Sequence, residues 1–322
     1  MERLNRYRGA IAQALAQVVP QNGPLAVLLR YPLGLSESDG SAGPGLGGKL
    51  LRPSLCLLAC EALGGEVRTA LPLAASLELV HVFSLVHDDI QDGDEYRRGR
   101  RSSWAVFGVG PALNAGDGLL TLAIKTAAKA PLPFHLVVQA LDRLAEATLR
   151  MIEGQTLDLA MEGKQVGVKD WTEMVRRKTG ALFGCALELG AIAAGHPEWG
   201  EAHARLGEEL GLAFQVQDDA LALWGEERKL GKPVGNDLAR GKRSYPIVWA
   251  LERDSSVDTV LQTGQLAEAR KRLTALGAYR ASHQAAQHHW NKVQEMARNL
   301  PWAPWAHAEF EALLAAVKER EA

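Results

Sequence analysis

The sequence predicts an all-α protein, on three observations. From about residue 50 onward the chain is rich in Ala, Leu, Glu and Arg, with apolar residues recurring at intervals of three and four. Alternating runs of β-branched residues are absent. Glycine and proline breaks cut the chain into segments of helical length, at Gly64-Gly65, Pro131–Pro133, "AGHPEWG" (194–200), "GEERKLGKPVGND" (225–237) and "LPWAPW" (300–305). Roughly ten or more helices follow from that division.

Taken in order, residues 2–19 read as an amphipathic helix, and "GLSESDGSAGPGLGG" (34–48) as a mobile Gly/Ser/Pro loop. A helix starts near residue 50. Residues 71–88 are apolar almost all round, which marks a central helix, and the same holds for 206–224. Each of these two helices ends in an aspartate pair. The Pro-rich stretch at 300–305 orients a terminal helix. There is no repeat of 20–50 residues and no domain boundary, so the expectation is one domain over 1–322.

The 322 residues are 47% hydrophobic and 23% charged, enough to bury a sizeable core. A net charge of −2 gives no case for a nucleic-acid partner. Cys56, Cys60 and Cys185 form no CxxC pair and suit a reducing compartment. The N-terminus lacks the apolar core and cleavage site of a signal peptide, and no charge-free apolar run of about 18 residues exists to span a membrane. The expected location is the cytoplasm.

The chemistry concentrates in "VHDDIQDGDEYRRG" (86–99). Asp88 and Asp92 are four apart, so their carboxylates share a helix face about 6 Å apart. Like charges at that spacing repel by a few tenths of a kcal/mol, and desolvation adds to the penalty. A solvated helix end would explain one such cluster. Two clusters, each closing a buried helix, point instead to hard divalent cations. Mg²⁺ takes one or two carboxylates and completes its shell with water and phosphate oxygens. Basic residues accompany the acids: Lys49 and Arg52 in "GGKLLRP", Arg97 and Arg98 in "RRG", Lys178 with Thr179 in "RRKTG", and Lys232 and Lys242 further on. Singly each reads as a surface cation. Together they provide for two anionic groups.

The ordered series "GGKLLRP", "HVFSLVHDDIQDGDEYRRG", "NAGD", "GQTLDL", "KTG", "AFQVQDDALALWG", "GKPVGND" and "GKRSYP", from about residue 45 to 250, resembles the motifs of trans-isoprenyl diphosphate synthases, and is most like those of the short-chain geranylgeranyl and farnesyl enzymes. The resemblance implies a bundle of long helices around a deep apolar cavity (the isoprenoid synthase type), a homodimer, and Mg²⁺. It implies metal ligation by Asp88, Asp92 and Asp218, with Asp89 and Asp219 beside them. Lys49, Arg52, His81 and Arg98 would bind isopentenyl diphosphate (IPP). Arg97, Lys178, Thr179, Gln215, Lys232 and Lys242 would meet the allylic diphosphate, whether dimethylallyl, geranyl or farnesyl. Ionisation of the allylic substrate, attack by the IPP double bond and loss of a proton would follow. Phe83 and Ser84, five and four residues before Asp88, would set product length. An aromatic at the first and a small residue at the second resemble the geranylgeranyl pattern, with farnesyl as runner-up. His87 has no such support and reads as structural, and none of the nine histidines forms HExxH.

The sequence departs from the family pattern at Ala222, where the second aspartate motif usually has its third acid, and after "RRG", where "RRSS" replaces Pro-Thr. Two other classes stand as alternatives: a non-catalytic partner subunit, for which Ala222 would be a mark of decay, and a class I terpene cyclase. "NDLARGKRS" has Arg240 and Ser244 where a cyclase carries Ser and Glu, and "GGKLLRP" is intact although a cyclase has no use for it.

Overall fold

The structure, a computed structural model, describes residues 5–225, 241–262 and 265–318. Lys232 and the cyclase-like "ND" at 236–237 lie outside them. The regular structure among the described residues is helical apart from two short strands, and the chain packs as two compact units.

The first unit is Met1–Ala145, Cys185–His203 and Pro301–Ala316. It holds α1 (Asn5–Val18), α2 (Ala26–Leu33), α3 (Leu51–Ala62), α4 (Val67–Asp92), α5 (Ser103–Phe107) and α6 (Val109–Ala127), together with parts of three longer helices. α4 is its centre, as its all-round apolarity predicts. Leu73, Leu77, Leu79 and Val80 are fully buried, and the helix packs against α3 and α6. The face of α6 turned inward is Ala112, Ala115, Gly116, Leu119 and Ala123, mostly small residues that let two helices approach closely. By length and composition α4 is the one described helix apolar enough to cross a bilayer. Since 67% of that stretch is buried inside the protein, it is a core helix.

The 34–48 segment is not loose. Ser36 pairs with Ala42, and Gly45 N donates to Gly34 O at 3.0 Å. Its glycines make the fold-back possible, because a Cβ on Gly34 would lie 2.3 Å from Gly45 O. Composition identified a loop, but the cross-loop hydrogen bonds depend on backbone register that composition does not encode.

The second unit is Glu146–Gly184, Ala204–Leu300 and Val317–Ala322. α7 (Phe134–Met161), α9 (Ala181–Ala193), α10 (Gly200–Trp224) and a C-terminal helix, α15 (Pro304–Lys318), each run from one unit's residues into the other's. Wholly within the second unit are α8 (Val168–Val175), α11 (Tyr245–Leu251), α12 (Val257–Gln262), α13 (Leu266–Leu276) and α14 (Ala278–Arg298). A π-helical turn, Arg176–Gly180, joins α8 to α9. Arg243, in "GKRSYP", is buried and structural: it donates to Lys164 O at 2.7 Å and pairs with Asp258 at 2.8 Å.

The Pro-rich stretch does start the terminal helix, and Trp302 anchors it in the first unit. The indole Nε1 donates to His203 Nε2 at 2.8 Å, while His203 Nδ1 lies 2.8 Å from Trp199 O. The imidazole is therefore neutral, and burial pushes its pKa down to about 4. The unfolded chain takes up that proton at about 6.5. Between those values the unfolded state holds more protons, so stability is complete above about pH 6.5 and falls as pH drops toward 4, by about 3 kcal/mol in full. The thermal midpoint of His203→Gln should decline less steeply over that window than that of the wild type. Parallel slopes would show that another group controls the acid limb.

Candidate active site

In the first unit the site grows from the end of α4. Gly93, at φ 65°, turns the chain out of the helix immediately after Asp92. Asp88, Asp89 and Asp92 thus occupy the C-terminal turns, where the backbone carbonyls already concentrate negative charge. Acids are disfavoured there unless cations meet them. One cation is supplied by the next element, a hairpin of β1 (Tyr96–Arg97) and β2 (Arg100–Arg101) that the alternation pattern was too short to reveal. It brings Arg97 Nε to 2.6 Å from Asp89 Oδ1. The two turn residues, Arg98 and Gly99, both have positive φ (52° and 76°), as the tight two-residue turn of a twisted hairpin requires. For an arginine this conformation costs roughly 1–2 kcal/mol. It places the guanidinium against Gly47 and Gly48, where a Cβ on Gly48 would lie 2.7 Å from Arg98 Cζ.

Arg52, on the first turn of α3, belongs to the same cluster. Burial lowers its guanidinium to about 10, and Glu78 and Arg98 are the nearby charges that act on it. It is cationic at neutral pH. Glu78 is the residue that sequence reasoning passed over. Only 4% exposed, its carboxyl is raised by burial and countered by Arg98, Arg52 and Arg8. It sits three residues before His81, so its signal was a lone acid inside an apolar run. His81 is half-buried. Burial first, and then Arg52, Arg98 and Arg97, hold its imidazole well below the ordinary value. The neutral ring carries one N–H donor for an anion. Lys49 is half-buried just ahead of α3. Asp89, Arg97, Arg98 and Arg100 also line a cavity with Tyr31, Leu46 and Val86.

In the second unit the π turn organises a polar cluster of its own; such turns are frequent at functional positions. Gly154 and Gly211 let α7 and α10 press against it: a Cβ on Gly154 would lie 2.2 Å from Lys178 N, and one on Gly211 would lie 2.6 Å from Gly180 Cα. Lys178 Nζ pairs with Asp158 at 2.6 Å. Asp158 stands in "GQTLDL", four residues after Gly154, and sequence reasoning gave it no role. Thr179 Oγ1 donates to Gln215 Oε1 at 3.0 Å, and Gln215 Nε2 donates to Asp219 Oδ1 at 2.9 Å. Asp219 Oδ2 accepts from Trp171 Nε1 at 3.0 Å and Tyr245 N at 2.7 Å. Burial pushes the Asp219 carboxyl up to about 7 despite these donors. Its two oxygens thus serve three protein donors. Asp218 beside it is exposed, and Ala222, one turn on, is half-buried; Lys242 is half-buried too.

The oxygen donors are of the kind magnesium takes: Asp88 and Asp92 are half-buried carboxylates one turn apart. Among the described residues there is no group of three or more His, Cys, Asp or Glu able to hold a metal, a number that Mg²⁺ bound partly through substrate phosphate does not need.

The Polyprenyl synthetase family model matches residues 43–277. The chain is 42% identical over 261 residues to a geranylgeranyl diphosphate synthase of Mycobacterium tuberculosis, covering 80% of this chain and 74% of that protein. It is 39% identical over 249 residues to a (2E,6E)-farnesyl diphosphate synthase of the same species, covering 76% and 69%. Among solved structures, a polyprenyl synthetase from Streptomyces coelicolor A3(2) superposes with a TM-score of 0.91 at 30% identity over 98% of each chain. A geranylgeranyl pyrophosphate synthetase from Pyrococcus horikoshii Ot3 does so with a TM-score of 0.88 at 32% identity over 99% of each.

Proposed function

Since the chain belongs to the polyprenyl synthetase family, and is thus a prenyltransferase with the all-α isoprenoid synthase fold, we propose that it condenses IPP head-to-tail with an allylic diphosphate, in a Mg²⁺-dependent reaction, to give an all-trans short-chain product. One observation carries the reading. The end of α4 and its hairpin gather Asp88, Asp89 and Asp92 with Arg97, while the cations Arg52 and Arg98 and the neutral His81 form the adjoining set. The second set binds the diphosphate that stays intact. Arg97, Lys178 and Lys242, with Lys232 by its motif, bind the one that departs. Asp88, Asp92 and Asp218 are the proposed metal ligands. When bound, Mg²⁺ neutralises the charge that develops on the departing diphosphate. Thr179 and Gln215, held by Asp219, present oxygen dipoles to the allylic cation. The proton lost at the end goes to the released diphosphate.

Phe83 supports a geranylgeranyl product, with farnesyl second. It is buried on α4, five residues and about 7.5 Å along the axis before Asp88, and the half-buried Ser84 is small. Phe83→Ala should lengthen the products by about one isoprene unit and Ser84→Phe should shorten them, since a floor moves by roughly a helix turn in each case. Chromatography of the dephosphorylated products reads both, and an unchanged distribution in Phe83→Ala would remove it as the floor. The same assay with and without labelled IPP tests the function itself. Longer prenyl diphosphates mark a synthase, hydrocarbon without IPP a cyclase, and silence a partner subunit.

The homodimer and the cytoplasmic location belong to the same proposal. Val109, Leu113 and Ile124 on α6 are exposed, as are Phe134 and Val138 on α7, with Phe134 at 83%. That apolar surface suits a second copy of the chain. All three cysteines are buried and unpaired, which suits a reducing compartment. The match of solved structures over nearly the whole chain supports one synthase domain over 1–322.

A further inference from the structure

Phe83 does not stand alone on α4. One turn on, the His87 imidazole meets it edge-on, with ring centres 4.9 Å apart and planes at 72°. His87 is fixed from the other side by α6. Its Nε2 donates to Leu113 O at 3.3 Å and lies 3.9 Å from Asp117 Oδ1. The ring fits there because residue 116 is glycine: a Cβ on Gly116 would lie 2.1 Å from Nε2 and 2.4 Å from Cδ2. The geometry points to His87 as a positioning residue for product length, seated in the Gly116 recess and clamping the Phe83 ring. This rests on the reading of Phe83 as the floor.

The physical argument is one of rotational freedom. A side chain on a helix settles toward the turn it can lean on, and an aromatic ring keeps one rotamer when an edge partner blocks the others. His87 is that partner for Phe83, and α6 removes the freedom of His87 in turn. The recess is in "NAGD" and the clamp is in "VHDD", so a segment whose acids are read as chemistry also carries this packing.

The test compares full-length wild type with F83A, H87A, H87F and G116A, each assayed for the chain-length distribution of dephosphorylated products. H87A frees the Phe83 ring and should lengthen the main product by about one isoprene unit. H87F keeps an aromatic edge in the recess and should return the wild-type distribution. G116A evicts the ring from its recess and should also shift the distribution. It lies on α6, where the added Cβ meets the His87 ring, and decides the matter if H87A is inactive. A purely structural His87 would change melting temperature and rate but not the ratio of products. Wild-type ratios from both H87A and G116A, with F83A lengthening, would overturn the clamp and leave the floor standing. Wild-type ratios from F83A would overturn the floor and the clamp with it.

Discussion

Asp88→Asn and Asp218→Asn should each lower turnover by about a thousandfold at saturating Mg²⁺, the equivalent of roughly 4 kcal/mol of transition-state stabilisation. An asparagine keeps the shape of the side chain but not the charge, so what is lost is neutralisation of the departing diphosphate rather than packing. Asp88 is half-buried at the negative end of α4, and removing its charge relieves helix-end repulsion. The folded protein should therefore be no less stable while turnover collapses. Near-wild-type turnover in either variant would end the metal assignment. A loss in Asp88→Asn accompanied by a lower melting temperature would mean that the charge is structural.

Arg52→Ala should raise the KM for IPP by about a hundredfold and leave that for the allylic substrate within about threefold, because truncating one partner of a buried charge-assisted contact costs about 2–5 kcal/mol. Arg52 acts in a cluster with Glu78, Arg98 and His81. Without it, Glu78 loses one of the cations that offset its burial, so some loss of melting temperature should accompany the binding defect. Lys49→Ala should share the direction, with the larger rise again in the KM for IPP. A larger rise in the allylic KM than in that for IPP would show the two diphosphate sites to be interchanged.

Much of this was legible in the sequence. The all-round apolarity of 71–88 gave the central helix, and the breaks at 64–65, 131–133 and 194–200 fell between observed helices. The pairing of acids with a following basic stretch was visible because charge at a helix end is a one-dimensional signal. Three things were not visible. The hairpin at 96–101 has two residues per strand, below the length at which alternation can register. Glu78 looked like a solitary acid, and only packing brings Arg52 and Arg98 to it. Asp158 and Trp171 bear on the site through Lys178 and Asp219, and those pairings cross 20 and 48 residues of chain. Periodicity speaks to neighbours on one helix, and these contacts are made between helices.

The left-handed turn at Arg98 carries a consequence for sequence drift. Two demands meet the backbone at one codon: the hairpin is best satisfied by Asn or Gly at that position, and the proposed anion site beside Gly47 and Gly48 by a long cation. Relieving the backbone is worth roughly 1 kcal/mol, but Arg98 is also the first of the cations that offset the burial of Glu78. Arg98→Gly or Arg98→Asn would relax the turn and strand that carboxylate, so melting and turnover should both favour arginine there. The left-handed conformation at position 98 is kept because two neighbours, and not one, call for the guanidinium.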